Sequence, residues 1–131
     1  MDSANVGAFG AARARVGLAR ALSSGDLDRA TACFSREACF VTPDGTAIHG
    51  RRQIRHLLAQ LVARRVEIEI ESSNVLGGDG VLLACERWRI CSGSAANRLV
   101  QIVHPVLVMR PVEGEWKLVI AAPWGWVDEL R

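Results

Sequence analysis

A chain of 131 residues, half of them apolar and 23% charged, can bury one core and is too apolar to be disordered. Sixteen Lys and Arg against fourteen Asp and Glu leave a net charge of +2, and the basic residues are not interleaved with aromatic ones, which argues against nucleic acid. The start Met1-Asp2-Ser3-Ala4 lacks the basic and apolar runs of a secretion signal, and no segment is long enough to cross a bilayer, so a cytoplasmic protein without membrane contact is expected.

Residues from about Asn5 to Leu22 are rich in Ala, Leu and Arg, with Phe9, Ala12, Val16 and Ala19 at three- and four-residue steps, and they predict a first helix. Gly25 stops it, and Asp26 caps a second helix that turns Leu27, Ala30 and Phe34 inward. Ala38 to Thr42 predicts a short strand, Pro43-Asp44-Gly45 a turn, and Thr46 to His49 the returning strand. After Gly50, the stripe Ile54, Leu57, Leu58, Leu61 and Val62 predicts a third helix. Arg51, Arg52, Arg55, Arg64 and Arg65 lie at its ends and outer face, as solvated charges do.

Beyond that helix the period changes. Val66, Ile68 and Ile70 alternate with Glu67, Glu69 and Glu71, the pattern of a strand with one face in water. Val81 to Ile90, Leu99 to Arg110 and Glu115 to Ala122 follow as strands of an antiparallel meander, separated by Gly78-Asp79-Gly80, Ser92 to Asn97 and Glu113-Gly114. Helices first and strands afterwards predict an α+β fold over residues 1–131 as one domain. A curved antiparallel sheet of about five to six strands would pack on three N-terminal helices. The middle strands are apolar on both faces, as Val81, Leu83 and Cys85 alternate with Leu82, Ala84 and Trp88. The uncovered back of the sheet therefore predicts a homodimer.

The four cysteines, Cys33, Cys39, Cys85 and Cys91, have no C-x-x-C spacing and read as reduced thiols. His49, His56 and His104 are scattered, so no metal site is expected. Gly77-Gly78-Asp79-Gly80 lies between strands rather than before a helix, so no phosphate loop and no cofactor are expected.

The runs Leu22 to Leu27, Phe40-Val41-Thr42-Pro43-Asp44-Gly45, Gly50 opening a helix, Arg87-Trp88-Arg89 and Glu115-Trp116-Lys117-Leu118 resemble the nuclear transport factor two-like superfamily. The resemblance covers nearly the whole chain and is nearest its SnoaL-like and ketosteroid isomerase-like members, with the SgcJ/EcaC-type subgroup closest. It implies a cone holding a small apolar molecule. Together with the apolar pattern, it predicts a lining of Leu18, Phe34, Phe40, Thr42, Ile54, Leu58, Trp88, Trp124 and Trp126. The ketosteroid isomerases carry an Asp base before the hairpin Pro, a helix Tyr and a protonated Asp. Here those positions hold Thr42, Leu18 and His104 or Pro105, and the chain has no Tyr. A hydroxyl does not take a proton as a carboxylate does, so that mechanism is excluded.

His104 interrupts the apolar face of Val100, Ile102, Val106 and Val108, and a polar group there needs a partner. If the loop Ser92 to Asn97 joins its strands symmetrically, His104 lies opposite Cys85; a slip of one residue places it opposite Glu86. Glu86 beside His104 would be an oriented general base, and Cys85 beside His104 a nucleophile. His104, Glu86 and Cys85 are thus the candidate catalytic residues. The alternatives are a satisfied core or interface histidine, a carboxylate paired with an Arg, and a thiol that acts as a small hydrophobe. The function expected is cofactor-free acid/base isomerisation, cyclisation or hydration of a small apolar or polycyclic molecule. The other reading is a non-catalytic ligand-binding or accessory protein.

Overall fold

The computed structural model describes residues 3–125, with side chains from Gly10 onward. Helix α1 (Ser3–Ser24) leads through α2 (Leu27–Ala32) to β1 (Phe34–Val41), β2 (Ala47–His49) and α3 (Arg51–Ala63). β3 (Glu67–Gly78), β4 (Val81–Ser92), β5 (Leu99–Val103), β6 (Val106–Val112) and β7 (Glu115–Ala122) follow. Across the sheet the order is β2-β1-β7-β6-β4-β3, with β5 also paired to β4. The three helices pack on the inner face of this curved, unclosed sheet, leaving β2 and β3 as its edges. No described helix is long and apolar enough to cross a membrane.

The pairings are antiparallel except one. β1 runs parallel to β7, with Phe34 opposite Leu118 and Phe40 opposite Ala121, so the sheet is mixed rather than wholly antiparallel. A parallel pair needs a long crossover, and everything between Val41 and Glu115 supplies it. That pairing also shortens α2. Phe34, expected on the second helix, instead opens β1, because the Leu118 amide donates to the Cys33 carbonyl at 2.8 Å and draws the chain into the sheet. Asp26 caps the short helix as expected, accepting from the Arg29 amide at 3.1 Å.

The inner face of α1 is rotated from the expected one. Ala19 is buried as expected and Val16 is exposed, while the main buried stripe runs through Ala11, Arg15, Leu18 and Leu22. These four follow steps of four, three and four residues, a helical stripe with a charged member. Gly10 lies against Trp116, where a Cβ would come within 2.6 Å of the indole, so this helix approaches β7 only because residue 10 has no side chain. The side chain of Phe9 lies outside those described. At its other end, Ser23 Oγ accepts from the Ile68 amide at 2.9 Å and fastens α1 to β3.

β3 continues past its glutamates to Gly78 because β4 offers a partner throughout, from Glu67 opposite Cys91 to Gly78 opposite Val81. β5 and β6 are one strand interrupted at His104-Pro105. Pro105 has no amide to donate, and only its carbonyl joins the ladder, accepting from the Glu86 amide at 3.0 Å. The core lies between helices and sheet, with Phe34, Phe40, Ile54, Leu58, Trp88, Leu107, Met109 and Leu118 fully buried.

Candidate functional site

Alternation along β4 decides which side chains enter the cone. Ala84, Glu86, Trp88 and Ile90 are buried, while Cys85, Arg87 and Arg89 are exposed. Glu86 has no exposed side-chain surface and accepts three hydrogen bonds. Arg15 Nε donates to its Oε2 at 3.0 Å, Trp88 Nε1 to its Oε1 at 3.0 Å, and Ser73 Oγ also to Oε2. A carboxylate out of water needs such a counter-charge and such donors. Among the described residues, Arg15 Nη1 has no hydrogen-bond partner. Glu86 is thus a fixed acceptor that orients the indole of Trp88.

That indole also borders a pocket of about 80 Å³. Leu18 and Leu22 of α1, Phe40 of β1, and Leu58 and Leu61 of α3 form one side; Val66, Ile68, Trp88, Ile90, Pro123 and Trp124 form the rest. Arg64, Ser92 and Gln101 are the polar members of the lining. Trp124 is held edge-on against Phe40, with centroids 6.0 Å apart and planes at 72°.

Of the residues expected to line a cavity, Leu18, Phe40, Leu58, Trp88 and Trp124 border this pocket, whereas Phe34 and Ile54 lie in the core away from it. Thr42 is elsewhere. Its hydroxyl donates to Asp44 and accepts from the Thr46 amide at 3.2 Å, so it closes the hairpin turn. The Thr42 hydroxyl, followed by the Thr46 amide, holds the Asp44 carboxyl below its ordinary value of 3.8. Trp126 lies outside the described residues.

His104 is the cross-strand partner of neither Cys85 nor Glu86. Cys85 pairs with Val106 and Trp88 with Val103, a register that sets His104 across from Arg87. His104 is exposed on the outer face, and Arg87 is bound to Glu71 at 2.8 Å. Glu86 points to the opposite side of the sheet, so the Glu86–His104 dyad does not form, and Cys85 and His104 are diagonal neighbours on the outer face with no hydrogen bond between them. Cys85 is exposed beside His104, and no carboxylate orients that ring among the described residues. Burial, only partly offset by Lys117, pushes the Cys33 thiol up, so this cysteine is not poised as a thiolate.

The residues that complete the polar cluster around Glu86, buried Arg15 and exposed Ser73, were not expected from sequence. The signal for Arg15 was its place in the stripe with Ala11, Leu18 and Leu22, concealed by the habit of assigning arginines to solvent.

Several solved structures share this architecture. A protein from Streptomyces avermitilis, described as a candidate dehydratase of the nuclear transport factor two-like family, is 17% identical. The match covers 91% of this chain and 97% of that one, with a TM-score of 0.78. A function-unknown protein from Mycobacterium tuberculosis is 14% identical over 93% of this chain and 73% of its own, with a TM-score of 0.83. An uncharacterised protein with a cystatin-like fold from Caulobacter vibrioides is 15% identical over 88% and 87%, with a TM-score of 0.77. At these identities the likeness is one of fold. No curated protein matches the chain. The sequence profile of the SnoaL-like domain matches residues 16–117, from the first helix to the last strand, and the chain belongs to that family.

Proposed function

We propose that this chain is a small-molecule-binding protein whose cone takes a compact apolar ligand between α1, α3 and the inner face of the sheet. One observation carries the reading: the pocket is walled by aliphatic and aromatic side chains, and its described lining includes no carboxylate, imidazole or thiol to move a proton. The volume excludes a polycycle, being about half of the roughly 150 Å³ that encloses benzene in an engineered core; it fits a short branched chain directly and a single ring once the wall side chains give way. Within the family, the runs Phe40 to Gly45 and Glu115 to Leu118 favour a place near the SgcJ/EcaC-type proteins.

The test is calorimetric titration with toluene. Saturable binding is expected, lost in Leu61→Trp, which places bulk at a half-buried wall, and unchanged in His104→Ala, because that exposed side chain lies on the other face. Absence of binding in the unaltered protein would end the reading. An acid/base enzyme is the second reading, favoured by the buried Glu86 behind Trp88 and by the candidate dehydratase from Streptomyces avermitilis. It requires the Arg15–Glu86 pair to open during turnover, and retention of turnover in Glu86→Gln would exclude it.

The partner that fits the outer face is a second copy of the chain. Leu83, Val106 and Val108 remain half-exposed there, with Ile120 43% and Leu76 68% exposed, and no described segment covers them. Light scattering should give a dimer, and Val108→Glu a monomer. Cys85, on the same face, should react faster with a thiol reagent in the monomer; equal rates and an unchanged mass would dismiss the dimer.

A further inference from the structure

We infer that the ligand is a small apolar monocarboxylate, its tail in the pocket and its carboxylate held at the mouth by Arg64 with Ser92 and Gln101. The inference rests on the ligand-binding reading above and names the class of molecule. Its basis is the way three polar side chains are brought to one end of an otherwise apolar wall.

Arg64 follows the last turn of α3 and caps it, and its carbonyl accepts from the Gly93 amide at 2.9 Å. That bond sets Arg64 beside the end of β4, next to Ser92. The approach depends on glycine at position 93, where φ is +94° and a Cβ would come within 2.4 Å of the Asn97 carbonyl oxygen. Gln101 stands directly opposite Ile90, a member of the inner face, and Ser92 is two residues beyond Ile90 on that same face. Ser92 and Gln101 are therefore diagonal cross-strand neighbours, within reach of one group bound between them.

The charge at this end is unbalanced. Arg64 is the only charged residue of the described lining and forms no ion pair among the described residues. Glu67, the nearest carboxylate in sequence, is held by Arg98 Nη2 at 2.6 Å. Among the described residues, neither the Ser92 hydroxyl nor the Gln101 amide forms a side-chain hydrogen bond, so both can donate to a ligand. A guanidinium fork with two neutral donors matches the two oxygens of a carboxylate. A single Arg balances one negative charge, and the small pocket limits the tail to one ring or a short branched chain.

Matched acid and amide pairs provide the test: phenylacetate against phenylacetamide, and isovalerate against isovaleramide, titrated into the unaltered protein, Arg64→Gln and Arg64→Lys. The acid should bind roughly tenfold more tightly than its amide, as one charge-assisted contact allows. The gap should close in Arg64→Gln, persist in part in Arg64→Lys, and narrow at about 0.5 M salt because the site is exposed. Arg64 is exposed at a helix end, so these variants should keep the parent melting temperature. Equal binding of acid and amide, or a preference that survives Arg64→Gln, would overturn the carboxylate while toluene still binds. Failure of toluene, acid and amide alike would overturn the pocket as well.

Discussion

Replacing Glu86 with Gln should cost about 3 kcal/mol and lower the melting temperature by roughly 10 °C, the low end for a broken buried ion pair in a domain of this size. The side chain keeps its shape and an acceptor for Trp88 Nε1, so the loss comes mainly from the charge on Arg15. That guanidinium is 7% exposed, already has one nitrogen without a partner, and would face the core with no counter-ion. The double variant Arg15→Leu, Glu86→Gln removes the stranded charge and should regain most of the loss, since apolar replacement of a buried pair is often neutral. Thermal melts of the four proteins give the coupling directly. A drop of less than about 2 °C in the single variant, or a double variant less stable than Glu86→Gln, would contradict this account.

Trp88→Ala should be at least as damaging, at about 3–5 kcal/mol, because a fully buried indole is deleted between β3 and β5, where it faces Ile70 and Val103. Trp88→Phe keeps much of the ring and loses the bond to Glu86, so it should cost about 1–2 kcal/mol. The same substitution enlarges the pocket and should admit a bicyclic ligand such as naphthalene that the parent excludes. Urea unfolding measures the first pair of values and titration the second. Equal losses in the two variants would mean that the hydrogen bond, rather than the ring, dominates.

Much of the architecture was legible in the residues because its signals are local. Gly25 and Asp26, Pro43-Asp44-Gly45, the Ile54 to Val62 stripe and the glutamate alternation before Glu71 each mark an element through short-range chemistry. The parallel joining of β1 to β7 leaves no such mark, since it depends on a contact between residues far apart in sequence. It is also what pulls Phe34 from helix to strand. The register of β4 against β5 and β6 depends on the path of Ser92 to Asn97, and a symmetrical loop would have placed His104 two residues away from its observed partner. A shift of one residue in a strand moves a side chain to the other face. The candidate site was therefore the least readable part: Glu86 was singled out, but its partner came from a helix arginine that composition assigns to water.

β3, an edge of the sheet, divides into two halves with different exposure to stray strand pairing. Glu67, Glu69 and Glu71 put like charges along its first half, and charged side chains on an edge discourage a foreign strand from joining it. From Ser72 to Gly78 the edge carries no charge, and it displays Leu76 and Val75 to solvent. An uncharged, exposed edge of this kind is the half expected to accept a foreign strand, and a second copy on the neighbouring face would shield it. If the chain dimerises as proposed, the unguarded half of one strand would make its solubility depend on that assembly.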